Sequence, residues 1–380
     1  MFAFSLPLFA SRSLSSALAQ LASTMPHAPH ALLLLAYLLH PALPAPVTVS
    51  NTAVRRTALG NPVQAQDGNL VNALSPAGDF LLVGMSYGLC PYTACANETL
   101  GACGFGAGRI LLYSSPSLAN GTWSEGTELL PAAQRPANAI YFRPHLVRNP
   151  ATGMWVLWVR YLPYVSPSLA KDSTLYLVAA SAAPTGPYAV VNANVSMFWP
   201  NSADDNLYVA PDGAGYLVHT ARSTGTRLVV ERLAPDFYSS LGAGDAGARS
   251  APIGAGGMEA PALWSTGPRE WWVSGAPLCC YCSAGAATEV FFSASGPLGP
   301  FAPVGSLGNA PRGQQNFVFA HDRLPGQVLV AYNRWGSDPT GGPQPLFDLS
   351  LQYWALLSRE GAGWAQLAWQ DEVVLNVTGA

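Results

Sequence analysis

Three acidic residues stand at similar places in this chain, each at the start of a strand-like run. They are Asp67, Asp204 and Glu259. Each is followed by a short apolar run, a turn and a second run rich in Val, Tyr or Trp. If such units stack around one axis, the three carboxyl groups meet at one end of a central channel. Hydrolysis of a glycosidic bond with inversion needs one carboxylic acid and one carboxylate. The three acids therefore predict a site of that kind.

The three acids receive different expected roles. We assign Asp67 as the general base that activates water and Glu259 as the general acid that protonates the leaving oxygen. Such a pair stands about 6.5–9.5 Å apart in inverting enzymes. Glu259 must be protonated near the working pH, and a neighbouring carboxylate raises a pKa by like-charge repulsion. Asp204 fits that third role. A turn at Asp67 and a turn cap at Asp204 are the structural alternatives.

Recurring short apolar runs separated by turn residues predict the elements that position these acids. The segment 181–188 matches 293–301, and in each a third strand ends before a turn leads to an aromatic residue. Units of four short strands with such repetition are typical of propeller blades. We predict an all-β, five-bladed β-propeller with four-stranded antiparallel blades, and a two-sheet sandwich is the alternative. The five predicted blade starts lie near Asp67, Arg143, Asp204, Glu259 and Gln314.

Composition narrows the function classes. The chain has 380 residues, of which 10% are charged, and its net charge is -3. Lys171 is the only lysine, and no basic stripe exists that would indicate nucleic-acid binding. Apolar residues make up 49%, which excludes a disordered chain. We expect residues 55–380 to form one domain that acts as a monomer on an oligo- or polysaccharide, without a cofactor or a metal.

The N-terminal segment, residues 1–50, is predicted to direct secretion. Its apolar core, residues 31–39, is too short to span a bilayer but suits a signal peptide. Translation from Met25 would give a more ordinary signal peptide, and a buried N-terminal helix is the alternative. No later apolar run is long enough to cross a membrane. Four N-glycosylation sequons agree with an extracellular location, and they begin at Asn97, Asn120, Asn194 and Asn376.

Six cysteines fall in two clusters, namely Cys90, Cys95 and Cys103, then Cys279, Cys280 and Cys282. In a secreted chain an even number favours disulfides, and six cysteines allow about fifteen pairings. We expect Cys90 and Cys103 to be close enough to bridge. A zinc site is the alternative, but Cys279-Cys280-x-Cys282 lacks the usual two-residue gap.

Four stretches carry a family pattern. They are Tyr141-Phe-Arg-Pro to Trp158, Ser202-Ala-Asp-Asp to Tyr216, Glu259-Ala-Pro-Ala-Leu263, and Gln314-Gln-Asn-Phe-Val318 with Asn333-Arg-Trp335. In this order they resemble glycoside hydrolase family 43, most closely the branch that contains exo-β-1,3-galactanases, over residues 60–375. The resemblance implies a five-bladed propeller that hydrolyses β-galactan-type or related plant or algal side chains, with Glu259 as the acid.

Two departures leave the substrate open. The galactanase branch usually has His-Gly-Gly in the first blade, where this chain has Gln66-Asp67-Gly68. It usually has Glu before Arg-Pro, where this chain has Phe142. Asp67 nevertheless falls where the wider family places its general base. An arabinofuranosidase or xylosidase, or a non-catalytic glycan-binding propeller, are therefore the alternatives.

The remaining candidate site residues are expected to bind substrate. Gln314 is expected to hold the water or a sugar hydroxyl. Arg143 and Arg334 are expected to contact the sugar or the carboxylates, although a structural ion pair is equally compatible with each. Tyr87 and Trp335 offer stacking faces for a pyranose, with core packing as the alternative. Gln66, next to the predicted base, completes this set.

Overall fold

The structure is a computed structural model that describes residues 45–71, 78–86, 108–137, 139–165, 168–169, 175–199, 201–277, 287–311, 313–334 and 352–378. Its regular elements are β-strands, with short 3₁₀ turns at Ala132–Gln134, Arg222–Thr224 and Ala246–Ala248. Within this part of the chain no helix is long and apolar enough to cross a membrane.

The strands in chain order are β1 (Ala45–Ser50), β2 (Gln66–Leu70), β3 (Phe80–Ser86), β4 (Arg109–Ser115), β5 (Thr127–Glu128), β6 (Ala139–Arg148), β7 (Trp155–Val165), β8 (Ser168–Leu169), β9 (Leu175–Ser181), β10 (Ala189–Asn192), β11 (Ser202–Val209), β12 (Gly215–Ala221), β13 (Arg227–Arg232), β14 (Met258–Gly267), β15 (Glu270–Pro277), β16 (Glu289–Ser293), β17 (Ala302–Ser306), β18 (Gln314–Ala320), β19 (Val328–Asn333), β20 (Gln352–Leu356), β21 (Arg359–Glu360), β22 (Gly363–Trp364) and β23 (Glu372–Val377).

These strands form five antiparallel blades arranged in a ring. The blades are β2-β3-β4-β5, β6-β7-β9-β10, β11-β12-β13, β14-β15-β16-β17 and β18-β19-β20. Their first strands β2, β6, β11, β14 and β18 contact one another in that order, and β18 also contacts β2. The predicted five-bladed propeller is confirmed. The predicted four-stranded blades are confirmed for the first, second and fourth blades, and the third and fifth blades have three strands each in the described chain.

Among the described residues the hydrophobic core forms five clusters, one between each pair of neighbouring blades. Each blade is apolar on both faces because it packs between two others. Trp271 and Trp272 illustrate this arrangement. Successive strand residues point to opposite faces, so Trp271 packs toward the third blade and Trp272 toward the fifth.

The two ends of the propeller pair with each other and close the ring. Strand β1 runs antiparallel to β23, with Val49 opposite Val373. Val47, Leu375 and Val377 are buried in the cluster between the fifth and first blades. Residues 45–50 therefore belong to the propeller, although the sequence placed its start near residue 55 and assigned this segment to targeting.

Each first strand has a register shift near its start. The shifts fall between Gln66 and Asn69, Phe142 and His145, Ser202 and Asp205, Glu259 and Ala262, and Gln315 and Phe317. A β-bulge of this kind bends the strand and changes the direction of a side chain. The five bulges lie at one end of the propeller, and the candidate acids lie in or beside three of them.

Candidate active site

Asp67 lies inside the bulge of β2. Its backbone adopts a left-handed conformation with φ 57°, and its side chain is buried. Asn333 Nδ2 donates a hydrogen bond of 2.9 Å to Asp67 Oδ1. The next residue must be glycine, because a Cβ at Gly68 would lie 1.8 Å from the Val83 carbonyl oxygen. The Asp67-Gly68 pair is thus a bulge that holds a buried carboxylate.

Arg143 connects two of the acids. It occupies the equivalent bulge of β6 with φ 45° and is 1% exposed. Its Nη2 lies 3.1 Å from Asp204 Oδ2 and 4.0 Å from Asp67 Oδ1. Its Nη1 donates a hydrogen bond of 3.3 Å to the Gln315 carbonyl oxygen. One guanidinium therefore brings the carboxylates of the first and third blades together.

Asp204 accepts hydrogen bonds from three side chains, namely Arg143, Arg160 and Gln314. Arg160 Nη1 donates to Asp204 Oδ1 at 2.8 Å, and Gln314 Nε2 donates to Oδ2 at 3.0 Å. Burial acts to raise the Asp204 pKa, but the charges of Arg143 and Arg160 outweigh it and leave the pKa lowered. Asp204 is therefore a fixed negative charge at neutral pH.

The pKa of Glu259 is shifted in the opposite direction, upward. It is half-buried at the bulge of β14, directly before Ala260, whose φ is 53°. Burial and then the negative charge of Asp204 raise the Glu259 pKa to about 7, against the opposing charges of Arg160, Arg222 and Arg143. Two carboxyl groups whose environments push their pKa values apart are the pattern expected of an acid beside a charged partner.

Two further titratable groups lie buried near this site. Asp205 is fully buried, and neither carboxylate oxygen has a hydrogen-bond partner within the described residues. Burial raises the Asp205 pKa well above its ordinary value, with Asp204 and Asp67 adding to the effect of burial. Burial and the charge of Arg143 lower the pKa of the fully buried His145 to about 3. His145 is therefore neutral at pH 7, and the surroundings of Asp205 favour its protonated form.

The structure places the predicted substrate-binding residues in different settings. Arg143 and Gln314 hold Asp204, as described above. Gln66 is buried opposite Met85, at the edge of the bulge that contains Asp67. Arg334 is buried, and its guanidinium lies 4.9 Å from the Trp369 ring centroid. Tyr87, Trp335 and all six cysteines lie outside the described residues.

Sequence reasoning missed three residues that act on the acids, namely Arg160, Arg222 and Asn333. Arg160 comes from the second strand of its blade, where it pairs with Phe142 and lies 5.3 Å from that ring. A single arginine inside the apolar run of β7 is the signal that points to it. Arg222 follows β12 in a 3₁₀ turn, and no sequence feature singles it out.

Neither a metal-binding cluster nor the large cavity of the propeller lies at the candidate site in the described part of the chain. Among the described residues no group of three or more His, Cys, Asp or Glu side chains is placed to bind a metal ion. A cavity of about 1180 Å³ lies at the opposite ends of the inner strands, where Ala210, Gly267 and Ala320 line it. None of the three acids lines that cavity, so it is separate from the candidate site.

Comparison with known proteins shows a shared fold. No family profile and no curated protein sequence matches the chain. A family 43 β-1,3-galactosidase structure matches with a TM-score of 0.66 and 17% identity over 87% of this chain. This chain spans 64% of the length of that protein.

Two exo-β-1,3-galactanases match in the same way. The enzyme from Phanerochaete chrysosporium, solved with galactose, gives a TM-score of 0.65 and 18% identity over 87% of this chain and 69% of its own. The enzyme from Clostridium thermocellum gives 0.64 and 19% over 88% of this chain and 67% of its own. The predicted resemblance to family 43 is therefore confirmed for the fold, a five-bladed β-propeller.

Proposed function

We propose that this chain is an inverting glycoside hydrolase that acts on β-galactan-type or related polysaccharide side chains. The observation that carries the proposal is the pairing of Glu259, whose pKa is raised to about 7, with Asp204, whose pKa is lowered. A carboxyl group that keeps its proton near neutral pH beside a fixed negative charge is suited to general acid catalysis.

In this mechanism each acid has one role. Glu259 donates its proton to the leaving glycosidic oxygen. Asp67, held by Asn333, accepts a proton from the water that attacks the anomeric carbon from the opposite face. Asp204 does not react. It is kept ionised by Arg143 and Arg160, and its charge keeps Glu259 protonated. The sugar leaves with inverted configuration because no covalent glycosyl-enzyme forms.

A galactan substrate is supported by the fold likeness to β-1,3-galactan-degrading enzymes. Phe142 argues for a different contact with the sugar, because a glutamate is usual before Arg-Pro in that branch. Phe142 is buried against Arg160, so the aromatic ring occupies the space beside the arginine that holds Asp204.

The chain is further proposed to be a secreted, disulfide-bonded, monomeric glycoprotein. The support is the apolar segment 31–39, the two cysteine clusters and the sequons. Three sequon asparagines lie in the described chain, and all are exposed, namely Asn120, Asn194 and Asn376. Secretion from a eukaryotic host, followed by a mass decrease on treatment with an N-glycan-releasing amidase, tests secretion and glycosylation. An unchanged mass would contradict glycosylation.

The activity is tested with purified protein and a panel of substrates. The panel contains β-1,3-galactooligosaccharides and the nitrophenyl β-galactoside, α-arabinofuranoside and β-xyloside. We expect galactose release by the wild type and by a Glu270→Gln control, whose carboxylate pairs with Arg359. We expect loss of oligosaccharide hydrolysis in Glu259→Gln. Release of arabinose or xylose would change the substrate assignment. Glycan binding without hydrolysis would favour the non-catalytic propeller.

A further inference from the structure

A chain of three polar side chains lies buried in the third blade. His219 Nδ1 lies 2.8 Å from Ser202 Oγ, and His219 Nε2 lies 3.2 Å from Glu231 Oε1. Ser202 is 2% exposed, and the other two are 0% exposed. Ser240 Oγ donates to Glu231 Oε2. The Glu231 carboxylate packs against the backbone at Gly242. A side chain at position 242 would not fit, because its Cβ would lie 2.5 Å from Glu231 Oε2.

The order serine, histidine, carboxylate is that of a nucleophilic triad, but the hydrogen bonds do not suit that role. The Ser202 hydroxyl donates its single hydrogen to the Trp199 carbonyl oxygen at 3.0 Å. Ser202 Oγ therefore accepts from Nδ1–H of His219, and Nε2–H donates to Glu231. Burial acts to raise the Glu231 pKa, but the hydrogen bond and charge of His219, with Ser240, outweigh it and leave the pKa lowered.

The three side chains lie beside the bulge of β11 that contains Asp204. Ser202 pairs with Ala221 and Asp205 pairs with His219, so two residues of β11, including Asp204, face one residue of β12. His219 thus holds both ends of the bulge. Its backbone pairs with Asp205 on one side, and its ring holds Ser202 on the other.

The second blade holds the same bulge from the neighbouring side. Tyr176 Oη donates a hydrogen bond of 2.6 Å to the Ala203 carbonyl oxygen. Tyr176 and Ala203 are both fully buried. The residue directly before Asp204 is therefore fixed through its backbone, while Asp204 itself is fixed through Arg143 and Arg160.

We propose that Ser202, His219 and Glu231 form a positioning network that fixes this bulge and directs Asp204 toward Glu259. The inference rests on the proposed role of Glu259 as general acid. The charged groups that act on Glu259 are Asp204 in β11, Arg143 in β6, Arg160 in β7 and Arg222 after β12. Coulomb energy falls with distance, so a looser bulge weakens the effect of Asp204 while the three arginines remain.

Three substitutions at two serines separate positioning from stability. Ser202→Ala removes the acceptor for His219 Nδ1–H, whereas Ser202→Thr retains a hydroxyl. Ser250→Ala is the matched control. Ser250 is 4% exposed in the same blade and accepts a 2.9 Å hydrogen bond from the Val230 backbone, and among the described residues its side chain makes no hydrogen bond to the bulge. Ser250→Ala loses one hydrogen bond and Ser202→Ala loses two, and each is worth about 0.5–1.5 kcal/mol.

The decisive measurement is the titration of the Glu259 carboxyl by NMR in protein labelled with carboxyl-¹³C glutamate. The resonance is assigned by its loss in Glu259→Gln. We expect Ser202→Ala to lower the Glu259 pKa by about half a unit and Ser202→Thr to restore it. We expect Ser250→Ala to leave it unchanged. Equal titrations in the two alanine variants would overturn the proposal.

Kinetics give a second readout. Ser202→Ala is expected to lower kcat about tenfold on oligosaccharides, with little change in KM.

If Ser202→Ala does not fold, Glu231→Gln provides a second variant. It keeps an acceptor for His219 but removes the carboxylate charge, and the same NMR shift is expected. An unchanged Glu259 titration in folded Glu231→Gln would overturn the network. A wild type that hydrolyses no glycoside, yet shows the shift in the variants, would contradict the proposed function and leave the positioning intact.

Discussion

Asp204 and Asp205 are consecutive residues of one strand, yet their carboxyl groups lie in opposite electrostatic environments. Asp204 accepts hydrogen bonds from Arg143, Arg160 and Gln314. Asp205 is fully buried, and no partner for its oxygens is found in the part of the chain that the structure describes. The pKa of Asp204 is lowered, and that of Asp205 is raised well above its ordinary value. Neighbours of the same type are therefore expected to respond differently to substitution.

Asp204→Asn and Asp205→Asn are expected to change stability differently with pH. The folded pKa of Asp205 exceeds its unfolded value, so the wild type loses stability as the pH rises above about 4. Asp205→Asn removes this loss. The free energy of unfolding of the variant, relative to that of the wild type, should therefore increase between pH 5 and pH 8, by up to about 1.4 kcal/mol per pH unit.

Asp204→Asn is expected to cost about 3–5 kcal/mol at both pH values, since it leaves buried arginines without their carboxylate. Because the folded pKa of Asp204 is lowered, its contribution is lost only as the pH falls through that lowered value. Urea unfolding at pH 5 and pH 8 measures both variants. A relative stability of Asp205→Asn that does not depend on pH would contradict a raised Asp205 pKa.

Glu259→Gln is expected to affect substrates according to their leaving groups. A sugar leaving group requires protonation, so hydrolysis of oligosaccharides should fall by about 10²–10⁴-fold. An activated nitrophenyl group needs little protonation and should retain more of its rate. Asp67→Asn should damage both substrates, because water must be activated in each case. Steady-state kinetics on the two substrates measure this. Equal losses in both variants would leave acid and base unassigned.

Arg222→Gln is expected to extend activity to higher pH. Arg222 is one of the charges that lower the Glu259 pKa, so its removal should raise that pKa above about 7 and keep the acid protonated longer. Because Arg222 is half-buried, we expect a shift of only a few tenths of a pH unit in the alkaline limb of kcat. Arg359→Gln, at an exposed ion pair with Glu270, is the control. A downward shift in Arg222→Gln would contradict the assignment.

Leu375→Ala is expected to destabilise the closure of the ring. Leu375 is fully buried between the fifth and first blades, whereas the adjacent Val374 is 52% exposed on the same strand. Removal of a buried leucine side chain costs about 2–5 kcal/mol, and Val374→Ala should cost little. Thermal unfolding compares the two variants. Equal melting temperatures would show that the β1–β23 pair does not hold the blades together.

The sequence predicted the fold and the strands that bear the three acids, because both depend on local patterns. Repeated turns and apolar runs indicated the blades, and Asp67, Asp204 and Glu259 each lie at the start of a first strand. The three-stranded sheets of the third and fifth blades in the described chain were not predictable, because pairing of an outer segment depends on strand register rather than on a local pattern.

The partners of the acids were predictable only in part. Arg143 lies in a first strand and was found. Arg160 reaches Asp204 from a second strand, and Arg222 acts from a turn in another blade. Such contacts depend on strand register and on the packing of separate blades, which a single sequence does not specify. The network of Ser202, His219 and Glu231 depends on the same register.

The stereochemistry of the first product tests the central claim most directly. Wild-type protein is mixed with a β-1,3-galactooligosaccharide, and the anomeric protons are followed by NMR during the first minutes. The account predicts that α-galactose appears first and then equilibrates to the β-anomer, because one displacement inverts the anomeric carbon. Initial release of β-galactose would contradict the assignment of Asp67 and Glu259 as base and acid.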